Sequence, residues 1–172
     1  MKKICLIALL LFTFIACEKQ SEIELTNPLV LKDGLLYKDS TSTKPFTGRH
    51  KSKTLNMKIE YEVKDGIKNG DFILYNSNDK AQIVGKMIDN KNEGLWKYYY
   101  PNGNIESEGF FSNDTVDGYW KWYDSRGLMI QEGNFNSGLK EGEWKIYDSS
   151  GKVRITYTYS NDKLIDSLVV DK

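Results

Sequence analysis

Short runs of alternating apolar and polar residues recur along this chain with a period of 24 residues. Gly94-Leu95-Trp96-Lys97-Tyr98-Tyr99-Tyr100 returns as Gly118-Tyr119-Trp120-Lys121-Trp122-Tyr123 and again as Gly142-Glu143-Trp144-Lys145-Ile146-Tyr147. Gly70-Asp71-Phe72-Ile73-Leu74-Tyr75 fits the same frame, with Phe72 in the tryptophan column. A fixed period of this size marks a repeat architecture. Nine residues after each leading glycine stand Asp79, Gly103, Gly127 and Gly151, and twenty after it stand Asn90, Asp114, Gly138 and Asp162. Both columns hold residues that tolerate positive φ, so each unit reads as two extended segments bounded by two turns. Two turns within 24 residues leave no room for a helix of three turns.

Period-two alternation places Trp96, Tyr98 and Tyr100 on one face of a strand and Lys97 and Tyr99 on the other. Ile105, Ser107, Gly109 and Phe111 are expected to share a face of the second strand. Gly85, Gly109 and Gly133 form a column there, and a strand glycine marks a place where another group lies against the backbone. Tyr157 takes that position in the last copy. The expected fold is all-β: a repeat array of antiparallel β-hairpins forming an elongated twisted sheet. The units run over about 46–69, 70–93, 94–117, 118–141 and 142–165, with a cap at 166–172. Leu168 falls in the tryptophan column, and Asp166, Asp171 and Lys172 would guard the terminal edge strand with charge. Upstream, Leu29-Val30-Leu31 and Leu35-Leu36-Tyr37 read as short strands around a turn at Lys32-Asp33-Gly34.

The 24-residue units, with their Gly-x-Trp-x-x-Tyr start, later glycine and Gly/Asn turn, resemble the MORN-repeat variant of bacterial proteins. The resemblance covers about residues 33–166. It implies the hairpin sheet, with Gly94, Gly118, Gly142, Trp96, Trp120 and Trp144 as structural repeat positions. Copies one and two depart from it, since His50 stands near the expected tryptophan and Phe72 replaces the second one.

Residues 1–16 read as a leader: Lys2 and Lys3 are basic, Ile4 to Ile15 are apolar but too few to span a bilayer, and Ala16 is small. Phe14-Ile15-Ala16-Cys17 resembles a bacterial lipobox, which implies lipidation of Cys17 and anchoring to the outer membrane of the cell envelope. Residues 17–28 would then be the lipidated cysteine and a flexible tether, with the repeat domain over 29–172. Cys5 leaves with the leader, so no internal disulfide is available.

Composition removes several function classes. Basic and acidic residues number 24 each, so no basic field favours nucleic acid. His50 is the single histidine, read as a surface or turn residue, and with Cys17 lipidated no metal cluster or nucleophilic triad can be assembled. Glu93, Asp117 and Glu141 recur before the unit glycines, and such regularity points to turn chemistry rather than to an acid/base pair. The glycines read as hairpin punctuation with no following helix start, hence no phosphate cradle. No catalytic residue, metal or cofactor is indicated.

The aromatic columns have two roles open to them. They can cover the sheet, or Tyr99, Tyr123 and Tyr147 can remain exposed as a binding face opposite the tryptophans. The functional expectation is a lipid-anchored, non-catalytic scaffold that binds a protein partner. An antitoxin or immunity protein is an alternative, because relatives of the repeat group are labelled as antitoxin components. A glycan-binding envelope lipoprotein, stacking sugar rings on the tyrosines, is a second.

Overall fold

The structure, a computed structural model, describes residues 28–54 and 57–170. The leader, Cys17 and nearly all of the tether lie outside the described residues, as do Asp171 and Lys172.

Every regular element among the described residues is a strand. A small hairpin, β1 (Val30–Lys32) and β2 (Leu35–Tyr37), precedes the array. Eleven strands follow: β3 (Gly48–Thr54), β4 (Met57–Lys64), β5 (Ile67–Tyr75), β6 (Ala81–Ile88), β7 (Lys91–Tyr99), β8 (Ile105–Ser112), β9 (Thr115–Tyr123), β10 (Met129–Asn136), β11 (Leu139–Tyr147), β12 (Val153–Ser160) and β13 (Lys163–Val169). They form one antiparallel sheet in strict chain order, an open meander with β3 and β13 at its edges. The expected hairpin array is therefore the observed fold.

The turns follow from their sequences. At Asp89-Asn90, Asn113-Asp114, Ser137-Gly138 and Asn161-Asp162 two successive residues have φ between 48° and 88°. That is the type I′ geometry, which matches strand twist and favours Asn, Asp and Gly. These turns also join neighbouring hairpins. Asp114 donates its N–H to the Asn92 carbonyl (3.1 Å) and accepts the Asn92 N–H on Oδ1 (2.6 Å). Asn90 with Lys68 and Asp162 with Lys140 make the same reciprocal pair. The acidic column closes the first turn residue: Glu93, Asp117 and Glu141 accept the N–H of Asn113, Ser137 and Asn161 at 2.8–3.0 Å. The expected turn chemistry is present, but each carboxylate serves the turn of the next unit.

Gly94, Gly118 and Gly142 do not punctuate hairpins. They lie inside β7, β9 and β11 at φ +70°, +80° and +70°, where two extra residues enter the register with the preceding strand. Each marks a bulge. Because the insertion has two residues, the strand keeps its faces.

One face holds the core. Trp96, Trp120 and Trp144 are buried there and alternate with the phenylalanine column. Ring centroids run from Phe72 to Trp96 (5.5 Å), Phe111 (5.8 Å), Trp120 (5.4 Å), Phe135 (6.4 Å), Trp144 (4.9 Å) and Tyr159 (6.1 Å). Each tryptophan lies flat on the glycine of the strand before it. A Cβ placed at Gly85, Gly109 or Gly133 would meet the ring of Trp96, Trp120 or Trp144 at 2.1–2.2 Å. Each indole N–H then donates to the carbonyl one residue beyond that glycine, on Lys86, Phe110 and Asn134, at 3.0–3.1 Å. Glycine, flat ring and satisfied N–H recur as a unit, so each tryptophan is buried against its own sheet, with the phenylalanines between them half-buried and no second layer of strands over them among the described residues.

Three further expectations fail in detail. His50 is buried, not on the surface: it stands in register with Tyr61 (5.0 Å) and near Phe46 (6.5 Å), and starts the buried face where a tryptophan is missing. Its Nδ1 has no hydrogen-bond partner, and burial lowers its pKa. Ile105 leaves the Ser107–Gly109–Phe111 row, because a one-residue bulge at Glu106 puts it in register with Tyr99. Leu168 does not sit in the tryptophan column. Between β12 and β13 only one extra residue enters the register instead of two, so Tyr157 pairs with Ser167 and Leu168 pairs with Thr156. A one-residue slip sends a side chain to the other face.

Candidate functional site

The face opposite the tryptophans is built by the residues between them. In β7, β9 and β11 these are Leu95, Lys97 and Tyr99; Tyr119, Lys121 and Tyr123; and Glu143, Lys145 and Tyr147. Neighbouring strands contribute Glu108 and Phe110 from β8 and Glu132 from β10.

All three tyrosines are half-buried, and Tyr123 and Tyr147 are tethered. Tyr123 donates its hydroxyl to Glu108 (3.0 Å), and Tyr147 donates to Glu132. Glu60, Glu108 and Glu132 each stand 15 residues before a tyrosine of the column, Tyr75, Tyr123 and Tyr147. Val84 occupies that place before Tyr99. This glutamate column escaped the sequence reading. Its signal was present as a recurrence at 48 and 24 residues, but Val84 interrupts it.

Lysines complete the lattice. Lys97 Nζ lies 3.1 Å from Glu108, and Lys145 Nζ lies 3.6 Å from Glu143. Burial alone would raise the Glu108 carboxyl, but the hydrogen bonds from Lys97 and Tyr123 outweigh it, and the group titrates below the ordinary range. Burial first, and then the neighbouring carboxylate, push the Tyr119, Tyr123 and Tyr147 hydroxyls up to about 12. These phenols are therefore protonated hydrogen-bond donors at neutral pH.

Between the polar rows stands exposed apolar surface. Leu95, Phe110 and Tyr119 are each more than two-fifths exposed. Two shallow depressions share Leu95. One of about 220 Å³ lies against Phe110, Tyr119 and Lys121, and another of about 320 Å³ lies against Ile73, Val84 and Lys97. Small-molecule sites enclose most of their ligand. These open depressions instead present aromatic and aliphatic groups rimmed by charge, the pattern of a protein-binding patch.

Of the expected face residues, Tyr99, Tyr123 and Tyr147 all lie opposite the tryptophans, while Trp96, Trp120 and Trp144 lie together in the core. Among the described residues no three His, Cys, Asp or Glu side chains are grouped to hold a metal ion, and no helix is long and apolar enough to cross a membrane.

No curated protein matches the chain. The family described as the MORN repeat variant matches it twice, at residues 92–113 and 140–161, two periods apart. Each matched segment spans a strand pair of the array, β7–β8 and β11–β12. Repeats of this type are non-enzymatic and serve in protein and membrane interaction, and the chain carries two matches to them within its all-strand sheet.

Proposed function

We propose that this chain is a lipid-anchored protein of the bacterial cell envelope whose tyrosine face docks a protein partner as a non-catalytic scaffold. The supporting observation is the asymmetry of the sheet. One face closes on its own tryptophans, while the other leaves Leu95, Phe110 and Tyr119 exposed between ordered Lys–Glu–Tyr rows. Ordered polar groups around exposed apolar anchors lower the entropy lost on binding. The anchor rests on the leader and Cys17, as the lipobox resemblance implies. Anchoring by lipid at one end and docking along the array is a division of labour suited to such a repeat.

The test uses Leu95→Thr together with Phe110→Thr in the full chain, two strand-compatible changes at positions that face each other across β7 and β8. Both side chains are exposed, so the expected change in stability is small, about 0.5 kcal/mol per site. Partner recovery from native membranes is expected to fall at least tenfold, because apolar anchors dominate such patches. Undiminished recovery by a folded double variant would exclude this face.

A further inference from the structure

Charge on the open face is not balanced where its apolar groups stand. Four consecutive strands place Lys86 on β6, Leu95 on β7, Phe110 on β8 and Lys121 on β9. Leu95 and Phe110 are in register with each other, so the two lysines stand on either side of one apolar pair. Lys86 lines the depression on the Val84 side of Leu95, and Lys121 lines the one on the Phe110 side.

Each of these lysines stands in register between two carboxylates, and opposite charges so placed ordinarily pair across a sheet. Here the carboxylates are drawn elsewhere. Lys86 is opposite Asp71 on one side and Glu93 on the other. Asp71 lies 3.6 Å from Arg49, and Glu93 accepts the Asn113 N–H at 3.0 Å to close a turn. Lys121 is opposite Glu108 and Glu132. Glu108 is held by Lys97 and Tyr123 at 3.1 and 3.0 Å, and Glu132 accepts the Tyr147 hydroxyl. Among the described residues neither Lys86 nor Lys121 forms an ion pair, whereas Lys97 and Lys145 on the same face do. Two uncompensated cations therefore bracket the exposed apolar pair.

We propose that the partner docks here through an acidic segment, with apolar side chains seated on Leu95 and Phe110 and a carboxylate on either side meeting Lys86 and Lys121. The inference rests on the docking reading above and adds the partner's chemistry to it. Neighbouring strands lie about 4.8 Å apart, so three intervals separate the two lysine rows by about 14 Å. Residues i and i+4 of an extended chain are about 13 Å apart and share a face with i+2. An acidic, apolar, acidic alternation in the partner fits that spacing. Complementary charge of this kind sets register and steers encounter more than it adds affinity. An anionic lipid surface fits less well. The Glu143 side chain is 65% exposed on the same face and would be set against it, whereas a single segment over Leu95 and Phe110 avoids that carboxylate.

Zero-length carbodiimide coupling of the full chain in native membranes reads the contact directly, because it joins an ammonium group to a carboxylate only where the two meet. Links from Lys86 and from Lys121 to Asp or Glu of one partner segment, with apolar residue between them, are expected. Lys86→Gln with Lys121→Gln is expected to lower partner recovery about fivefold and to flatten its dependence on salt, as loss of rim charge does. Arginine at both positions is expected to retain recovery. Lys145→Gln with Lys152→Gln removes the same charge away from the apolar pair and is expected to leave recovery unchanged. Thermal unfolding establishes that each variant is folded. Recovery lost by the Leu95→Thr, Phe110→Thr variant but kept by Lys86→Gln, Lys121→Gln would overturn the acidic segment and leave docking standing. Recovery kept by both would overturn docking itself. Absence of coupling at the two lysines, or an equal loss in the Lys145, Lys152 control, would also overturn the proposal. In vesicles of phosphatidylcholine and phosphatidylglycerol holding the full chain alone, Phe110 and Tyr119 are expected to stay open to hydroxyl radicals. Shielding there would assign the two lysines to lipid and overturn it as well.

Discussion

Gly109→Ala is expected to destabilise the protein by about 3 kcal/mol, at the upper end of overpacking costs. Strand propensity alone gives the opposite sign, since alanine is about 0.5–1 kcal/mol better than glycine inside a strand. The decision lies with the ring. The new methyl would stand 2.1 Å from Trp120 Cδ2, and the ring cannot step aside. Phe111 and Phe135 flank it at 5.4 and 6.4 Å, and its N–H is held by the Phe110 carbonyl. Relief requires losing that hydrogen bond and opening the ladder. Gly103→Ala is the control: it has φ +97° but no heavy atom within 4 Å of the new Cβ. Only backbone strain of about 1 kcal/mol applies there. Thermal unfolding checks both. For a chain of this size the Gly109 variant is expected to melt about 10 °C lower and the Gly103 variant about 3 °C lower. Equal shifts would mean that the close approach carries no weight.

Trp120→Ala is expected to cost about 3–5 kcal/mol, the usual range for emptying a packed aromatic site. Trp120 touches Phe111 and Phe135 as well as Tyr98 and Trp122, so its loss opens the ladder at its centre. Tyr123→Ala, three residues on, removes a half-buried ring from the other face and its bond to Glu108. Because Lys97 still partners Glu108 at 3.1 Å, about 1 kcal/mol is expected, the net value of one hydrogen bond. That exceeds the cost at an ordinary surface position, because the phenol is tethered. Chemical denaturation resolves the two variants. Equal losses would mean that both faces are packed alike.

The period carried most of the fold. Spacing of 24 residues located the strands, the turns and the face opposition of Trp120 and Tyr123, because repeated local chemistry dictates repeated local geometry. The glycine column even announced the flat rings at Gly85, Gly109 and Gly133. Departures arose where the period meets something it does not encode. Ile105 and Leu168 follow one-residue register shifts that leave no mark in residue type. At Leu168 the shift coincides with Tyr157, whose side chain fills the position where a glycine elsewhere admits a tryptophan. His50 looked polar and solitary, yet a neutral imidazole between Phe46 and Tyr61 serves as a ring in a stack of rings. The unit glycines were visible, but their bulges were not, since a bulge is a property of two strands. The binding face was legible as tyrosines alone. Its glutamates, at a separation of 15 residues across a strand pair, became a lattice only through the register.

The central claim is that one face of the sheet is closed on itself and the other is open to a partner. Hydroxyl-radical footprinting of the full chain, purified and in its native membranes, tests both halves at once. Trp96, Trp120 and Trp144 are expected to stay protected in both preparations, whereas Leu95, Phe110 and Tyr119 are expected to react when purified and to be shielded in the membrane. Reactive tryptophans, or a tyrosine face labelled equally in the two preparations, would contradict the account.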